Sequence, residues 1–205
     1  AERWGQNAAM VTSFADGSKI SFEQAIVANA TGFQARARGM SRGLKYDGSI
    51  MDVQKLWDLD EVRALGGVVD YTVGKGVAPG VFVIVEATHP RIIERMDDLH
   101  VGKGPYYSFF RPYHLTSLEV PLTAARIMLY GKSDMVPRAA PLAEGCSLAK
   151  RDLAAGESFD AIGETCYLSW TMTARDAREQ TAVPVGLLEG GKVLKDLNLP
   201  FPNLE

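Results

Sequence analysis

Apolar and polar positions along the chain divide it into a mixed first part and a β-rich last part. Ala8-Ala-Met-Val-Thr-Ser-Phe14 reads as a strand that turns at Ala15-Asp16-Gly17-Ser18. Ser21 with Gln24 makes a capping box, so a helix is expected from there to a stop at Gly32. Gly32 to Gly48 is rich in Gly, Arg and Lys without apolar periodicity and reads as a loop. Arg36, Arg38, Arg42 and Lys45 on it suit either closure over an anion or a solvated linker. Strands are expected at Gly67–Val73 and Val81–Glu86, then a short helix opened by Pro90. Thr116 and Glu119 form a second capping box. Its helix takes Pro121 in the first turn and runs to about Tyr130, where Gly131 stops it.

Two prolines at Val136-Pro-Arg-Ala-Ala-Pro141 interrupt the helical pattern and mark a boundary. Beyond it, Ser147–Leu153, Cys166–Trp170 and Val183–Leu188 are short apolar segments set apart by Gly and charged residues, and Thr173–Thr181 reads as a short exposed helix. The pattern predicts an α/β (α+β) chain. A mixed sheet with flanking helices occupies residues 1–136, and a small β-rich module occupies 142–205.

Composition narrows the partners. The chain has 205 residues, 46% hydrophobic and 23% charged, an ordinary soluble balance with enough length for one large domain or two small ones. A net charge of -3 argues against nucleic acid, which selects a basic face. Cys146 and Cys166 have neither CxxC nor His-Cys spacing, so neither a disulfide framework nor a zinc site is indicated, and a reducing cytoplasm fits. The most apolar run, Gly80–Glu86, is far too short to cross a membrane, and no membrane partner is expected.

The chemistry concentrates in Gly104-Pro-Tyr-Tyr-Ser-Phe-Phe-Arg-Pro-Tyr-His-Leu115. Aromatics and two prolines make this stretch stiff, while Arg111 and His114 supply a permanent cation and a titratable imidazole, with Tyr113 between them. Arg111 can clamp a carboxylate or phosphate through both guanidinium edges. His114 stands just before an expected helix N-terminus, which disfavours its protonated form and makes it a neutral partner for a substrate oxygen. The plainer alternative is a strand entering a helix, with the Arg in solvent and the His in the core. Gly74-Lys-Gly76-Val-Ala-Pro-Gly80 is the one run like a nucleotide loop, but its spacing is wrong and it leads into an apolar strand instead of a helix.

The aromatic stretch, together with Thr12-Ser-Phe-Ala-Asp16-Gly-Ser-Lys19, Val27-Ala-Asn-Ala-Thr-Gly32 and Ala149-Lys-Arg-Asp-Leu-Ala-Ala-Gly156-Glu157, resembles the homoserine dehydrogenase-like oxidoreductases that end in a SAF domain. That family includes reductoisomerase-like enzymes that replace the usual 1-deoxy-D-xylulose 5-phosphate reductoisomerase in isoprenoid synthesis. The resemblance runs from about Met10 to about Leu197 and makes residues 142–205 a SAF-like module. It implies an oxidoreductase using NADP or NAD, with nucleotide binding in a domain upstream. The chain, which reads as if it began mid-domain, would then be the catalytic and substrate-binding part, inactive alone. A small anionic substrate and a homo-oligomer are expected. A divalent metal stays open, because Asp70 belongs to no spaced acidic cluster.

In that light Lys19 is the expected proton shuttle for a substrate hydroxyl, and Glu23, four residues on, orients it or binds sugar hydroxyls. Without the resemblance, Lys19 is an exposed turn lysine. Asn29 is a weaker substrate-binding candidate, beside Arg111 and Tyr113. The activity remains open between a sugar-phosphate reductoisomerase, a homoserine or other hydroxy-acid dehydrogenase, and a non-catalytic ligand-binding or oligomerisation module. His89 and His100 read as surface residues and Trp4, Trp57 and Trp170 as packing residues.

Overall fold

The structure is a computed structural model and describes residues 3, 5–112, 116–138 and 140–198. It opens on helix α1 (Ala8–Ala15), where the apolar pattern predicts a strand. Asn7 decides the matter, because its side chain accepts the Ala9 N–H at 2.9 Å and so supplies the N-cap. The hydroxyls of Thr12 and Ser13 turn back onto the carbonyls of Ala8 and Met10, so the polar residues also feed the helix. Helix α2 (Ser18–Thr31) lies between left-handed Gly17 and Gly32, so it stops where expected but starts ahead of Ser21.

The expected loop after Gly32 holds two short strands, β1 (Gln34–Ala35) and β2 (Leu44–Lys45). A 3-10 turn over Ile50–Leu56 and helix α3 (Leu59–Ala64), capped by Asp58, follow in a stretch that the apolar pattern left unassigned. The expected strand Gly67–Val73 breaks at Asp70 into β3 (Val68–Val69) and β4 (Thr72–Val73). Next come β5 (Val81–Glu86), α4 (Pro90–Asp98), β6 (Tyr106–Arg111) and α5 (Thr116–Tyr130). The last part contains β7 (Ala143–Ala149), β8 (Tyr167–Thr173) and α6 (Ala174–Glu179), which is capped by Thr173 and buries Ala174 and Ala177. Val183–Leu188 is not a strand. Pro184 starts a 3-10 turn over Val185–Leu187, and only an isolated bridge joins Pro184 to Cys146. Helices and small sheets together make a mixed α/β, α+β chain.

The residues form two compact units whose boundaries do not follow chain order. The first takes the described residues up to Arg42, Gly67–Asp70 and those from Pro137 onward. In it β1 and β3 pair in parallel, and β7 and β8 form an antiparallel hairpin from Ala143↔Thr173 to Ala149↔Tyr167. The outer edge of β8 is closed by side chains. The N–H groups of Ser169 and Thr171 donate to the hydroxyls of Ser18 (3.1 Å) and Ser21 (3.0 Å) on α2. The Thr171 hydroxyl donates to the Ser21 carbonyl at 2.7 Å, and the Gly39 N–H donates to the Thr171 carbonyl at 2.8 Å. Ser21 is therefore no cap. It sits inside the helix, on the buried stripe Ser18, Ser21, Ala25 and Ala28.

Lys150 anchors the corner between α1 and α2. Its ammonium donates to the carbonyls of Gly163 (2.9 Å) and Glu164 (2.7 Å) and lies 2.6 Å from the Asp16 carboxylate, which also accepts the Ser18 N–H. A Cβ on Gly163 would stand 2.4 Å from that of Ser13, so the chain closes there only with glycine. A core of Leu153, Cys166, Tyr167, Val185 and Val193 fills the space beyond.

The second unit takes Gly43–Gly66 and Tyr71–Val136. There β2 pairs with β4 in parallel and β5 with β6 in antiparallel fashion, Val81↔Arg111 to Glu86↔Tyr106. Tyr107 is its buried anchor. The phenol donates to the Asp97 carboxylate at 2.6 Å, and the Gly104 N–H donates to the same oxygen. Burial and the adjacent carboxylate push the Tyr107 phenol up to about 12. The bonds from Tyr107 and Gly104 hold Asp97 below its ordinary range.

Ser21→Ala leaves the buried Thr171 N–H without an acceptor, and is expected to cost roughly 1–3 kcal/mol in denaturant unfolding. The Tyr107–Asp97 pair makes stability depend on pH at both ends. A tyrosine in the unfolded chain titrates near 10, so the phenol's contribution is whole below that value and disappears as the pH rises through about 12. The carboxylate's contribution is whole above the usual aspartate range and disappears as the pH falls below it. Melting curves of Tyr107→Phe across pH should show a smaller alkaline loss than those of the parent chain, the remainder belonging to groups such as Cys146 and Tyr167 whose pKa values are also raised.

Candidate functional site

Lys19 and Glu23 stand one turn apart on α2, half-buried, on a face away from its serine and alanine stripe. The Lys19 ammonium lies 3.9 Å from the centre of the Phe14 ring at the end of α1. Among the described residues no ion pair joins it to Glu23 or to another carboxylate. The Asp16-Gly17 corner makes this possible, since it reverses the chain between α1 and α2 and brings Phe14 back beneath Lys19. Sequence reasoning found the lysine and missed its platform. The available signal was the pairing of an aromatic with a lysine across an Asp-Gly turn.

Asn29 sits on the same helix with both its carboxamide oxygen and its NH2 bonded to backbone. Its oxygen accepts the N–H groups of Leu142 (2.7 Å) and Ala143 (3.0 Å), and its NH2 donates to the Ala143 carbonyl at 2.9 Å. This ties α2 to the start of β7, and the Asn29 carbonyl also accepts the Arg138 N–H.

Arg111 ends β6 in the second unit, with its side chain 68% exposed and ion-paired to Glu119. Glu119, the second member of the expected capping box, faces Arg111. Both line an open groove of about 750 Å³ with Leu122, Arg126, Tyr130 and Asp134. Arg126 is paired to Asp134 at 2.5 Å, and Asp134 also accepts the Thr123 hydroxyl. An anion reaching Arg111 here exchanges with Glu119. His114 and Tyr113 lie outside the described residues.

The basic loop of the first unit is partly ordered by Trp170, over whose ring Arg38 and Arg42 stand at 5.3 and 4.9 Å. Asp70 accepts the N–H and hydroxyl of Ser41 at 3.1 and 2.5 Å. Among the described residues no three His, Cys, Asp or Glu side chains converge as a metal group would require. The Gly74–Gly80 run joins β4 to β5 and presents no helix N-terminus. A Cβ on Gly74 or Gly76 would meet the carbonyl of Tyr46 or Gly48 at 2.2 Å, so these glycines admit a neighbouring backbone and do not form a cradle for a dinucleotide.

Residues 1–120 match the family model described as oxidoreductase DRL, catalytic domain. The chain belongs to this family. The match takes in α1, α2 and the whole β5–β6 sheet, hence Lys19, Glu23, Asn29 and Arg111, and makes this an oxidoreductase catalytic domain. No curated protein matches the chain. Among the described residues no helix of this oxidoreductase domain is long and apolar enough to cross a membrane.

The bonds of Asn29 separate a structural from a substrate-binding role. Asn29→Ala strands two N–H groups and a carbonyl at the start of β7, and is expected to lower unfolding stability by roughly 2–4 kcal/mol. A change in KM with the melting temperature untouched would assign the residue to substrate instead.

Proposed function

We propose that this chain is the substrate-binding and proton-moving part of an NAD(P)H-dependent oxidoreductase, and that its substrate is a phosphorylated sugar of the 1-deoxy-D-xylulose 5-phosphate kind, turned over by a reductoisomerase. The observation that carries the reading is Lys19, held by Phe14 within the segment matched to an oxidoreductase catalytic domain and free of a neutralising carboxylate among the described residues. A reduced carbonyl oxygen needs a proton as it becomes a hydroxyl, and a fixed ammonium is a donor for it. Glu23, on the same face, is placed to receive a sugar hydroxyl or to steer the lysine. Arg111 belongs to the second unit and is a separate candidate there, its planar fork suiting an anion that displaces Glu119.

The nicotinamide cofactor is assigned to a nucleotide-binding domain outside these residues, since the Gly74–Gly80 run lacks the helix that would receive a pyrophosphate. Residues 142–205 are read as a SAF-like module, and the enzyme as a cytoplasmic homo-oligomer, on the resemblance of the motifs quoted above.

Lys19→Met in the complete enzyme is expected to lower kcat by about 10²–10⁴-fold with 1-deoxy-D-xylulose 5-phosphate and NADPH, while leaving NADPH affinity nearly intact. Glu23→Gln should be milder and should shift the pH profile. Circular dichroism and melting temperature near the parent's establish that both variants are folded. Retention of more than about half the turnover by folded Lys19→Met, where loss of acid–base help costs orders of magnitude, would leave the lysine a corner residue and remove this reading.

A further inference from the structure

Asp16 serves both sides of the corner between α1 and α2. Its N–H donates to the Thr12 carbonyl at 2.9 Å and closes α1, while its Oδ1 accepts the Ser18 N–H at 2.8 Å where α2 begins. Its other oxygen, Oδ2, is closed to solvent, and the Lys150 ammonium lies 2.6 Å from it. The two side chains are only 14% and 19% exposed, so solvent and salt screen the pair little. The carbonyls of Gly163 and Glu164 take up the remaining donors of the ammonium and hold it in place. Both oxygens of Asp16 are thereby committed.

Lys19 stands three residues on from Asp16, in the first turn of α2. At that separation a lysine and an aspartate are natural partners. Lys19 instead rests over the Phe14 ring, which is itself 63% exposed. An ammonium on an exposed ring is held weakly, whereas a shielded carboxylate stripped of its partner is strongly unfavourable and draws in the nearest cation. The position of Lys19 on Phe14 therefore holds only while another cation occupies Asp16.

We propose that Lys150 is a positioning residue for Lys19: by consuming the Asp16 carboxylate it keeps the Lys19 ammonium on Phe14, out of an ion pair and available to a substrate oxygen. The consequence for turnover rests on the reading of Lys19 as proton donor, while the placement of Lys19 does not.

The test follows the ε-CH2 signal of Lys19 by NMR in the full chain grown with 13C-lysine, assigned with Lys19→Arg. The Phe14 ring displaces that signal, and Phe14→Leu gives its position without the ring. Lys150→Gln keeps a donor for the two carbonyls but not the charge, so the signal should move to the Phe14→Leu position as Asp16 draws the ammonium away. Asp16→Asn combined with Lys150→Gln removes both charges and should return the signal to its parent position. In the complete enzyme kcat should fall about tenfold or more in Lys150→Gln, part of what a proton donor contributes, and recover most of that loss in the double variant. A Lys19 signal that behaves in this way while kcat stays unchanged supports the placement and removes the proton-donor reading. A signal unmoved in folded Lys150→Gln overturns the proposal, and so does a double variant displaced as far as the single one, which is what loss of the corner alone gives. If Lys150→Gln unfolds while the double variant folds, Asp16 finds no substitute in Lys19 and the proposal fails. A parent signal already at the Phe14→Leu position overturns it without any change at Lys150.

Discussion

The free edge of β8 is where the first unit is held together. A two-stranded hairpin has two unpaired edges, and burying one leaves N–H and C=O groups that must find partners or cost the fold its stability. Here the partners on the outer side of β8 come from a helix and a loop. Ser18 and Ser21, three residues apart on α2, place their hydroxyls where a third strand would place its carbonyls. Gly39 then donates to Thr171 as a strand N–H would. Everything N-terminal to Arg42 in this unit is positioned from that edge, because α2 carries α1 through the Asp16–Lys150 corner and leads into β1 at its other end.

This explains which elements were legible. The apolar runs of β5 and β8, and the proline-opened α4, carry their signals in local composition, and the structure has them where the pattern puts them, while β6 is the strand that the aromatic stretch offered as its plainer alternative. Helix α1 was obscured because Val11, Thr12 and Phe14 favour a strand while the deciding residue, Asn7, lies ahead of the run. Ser21 misled for a different reason. A serine followed by a glutamine three positions on satisfies a local rule, yet its hydroxyl is committed to a residue 150 positions away. Val183–Leu188 has strand composition, but Pro184 removes a donor and the segment makes only one bridge.

The candidate chemistry was legible as residue types and much less as environments. Arg111 stands out as a cation among aromatics and Lys19 only through the family resemblance, but sequence spacing does not reveal that one faces a carboxylate and the other rests on a phenyl ring. Asn29 shows the converse. An amide on a helix of a matched catalytic domain invites a binding role, and only its three backbone bonds reveal that it clamps α2 to β7. Spacing and the strand that follows set the glycines at 74 and 76 apart from a nucleotide loop, and the approach of the Tyr46 and Gly48 carbonyls supplies their physical purpose.

Helix α2 therefore carries two duties on different faces. Its serine and alanine stripe is fixed against β8 by directional hydrogen bonds, which tolerate neither rotation nor a shift of one residue. Packing by apolar contacts alone would allow the helix to slide or roll at modest cost, because such contacts are non-directional. With Ser18 and Ser21 bonded to successive outward N–H groups, the azimuth of α2 is set, and with it the direction in which Lys19 and Glu23 project. The buried hydroxyls are thus a positioning device for the exposed face. A polar seam stands where alanine or valine would pack, and it fixes the orientation of the helix.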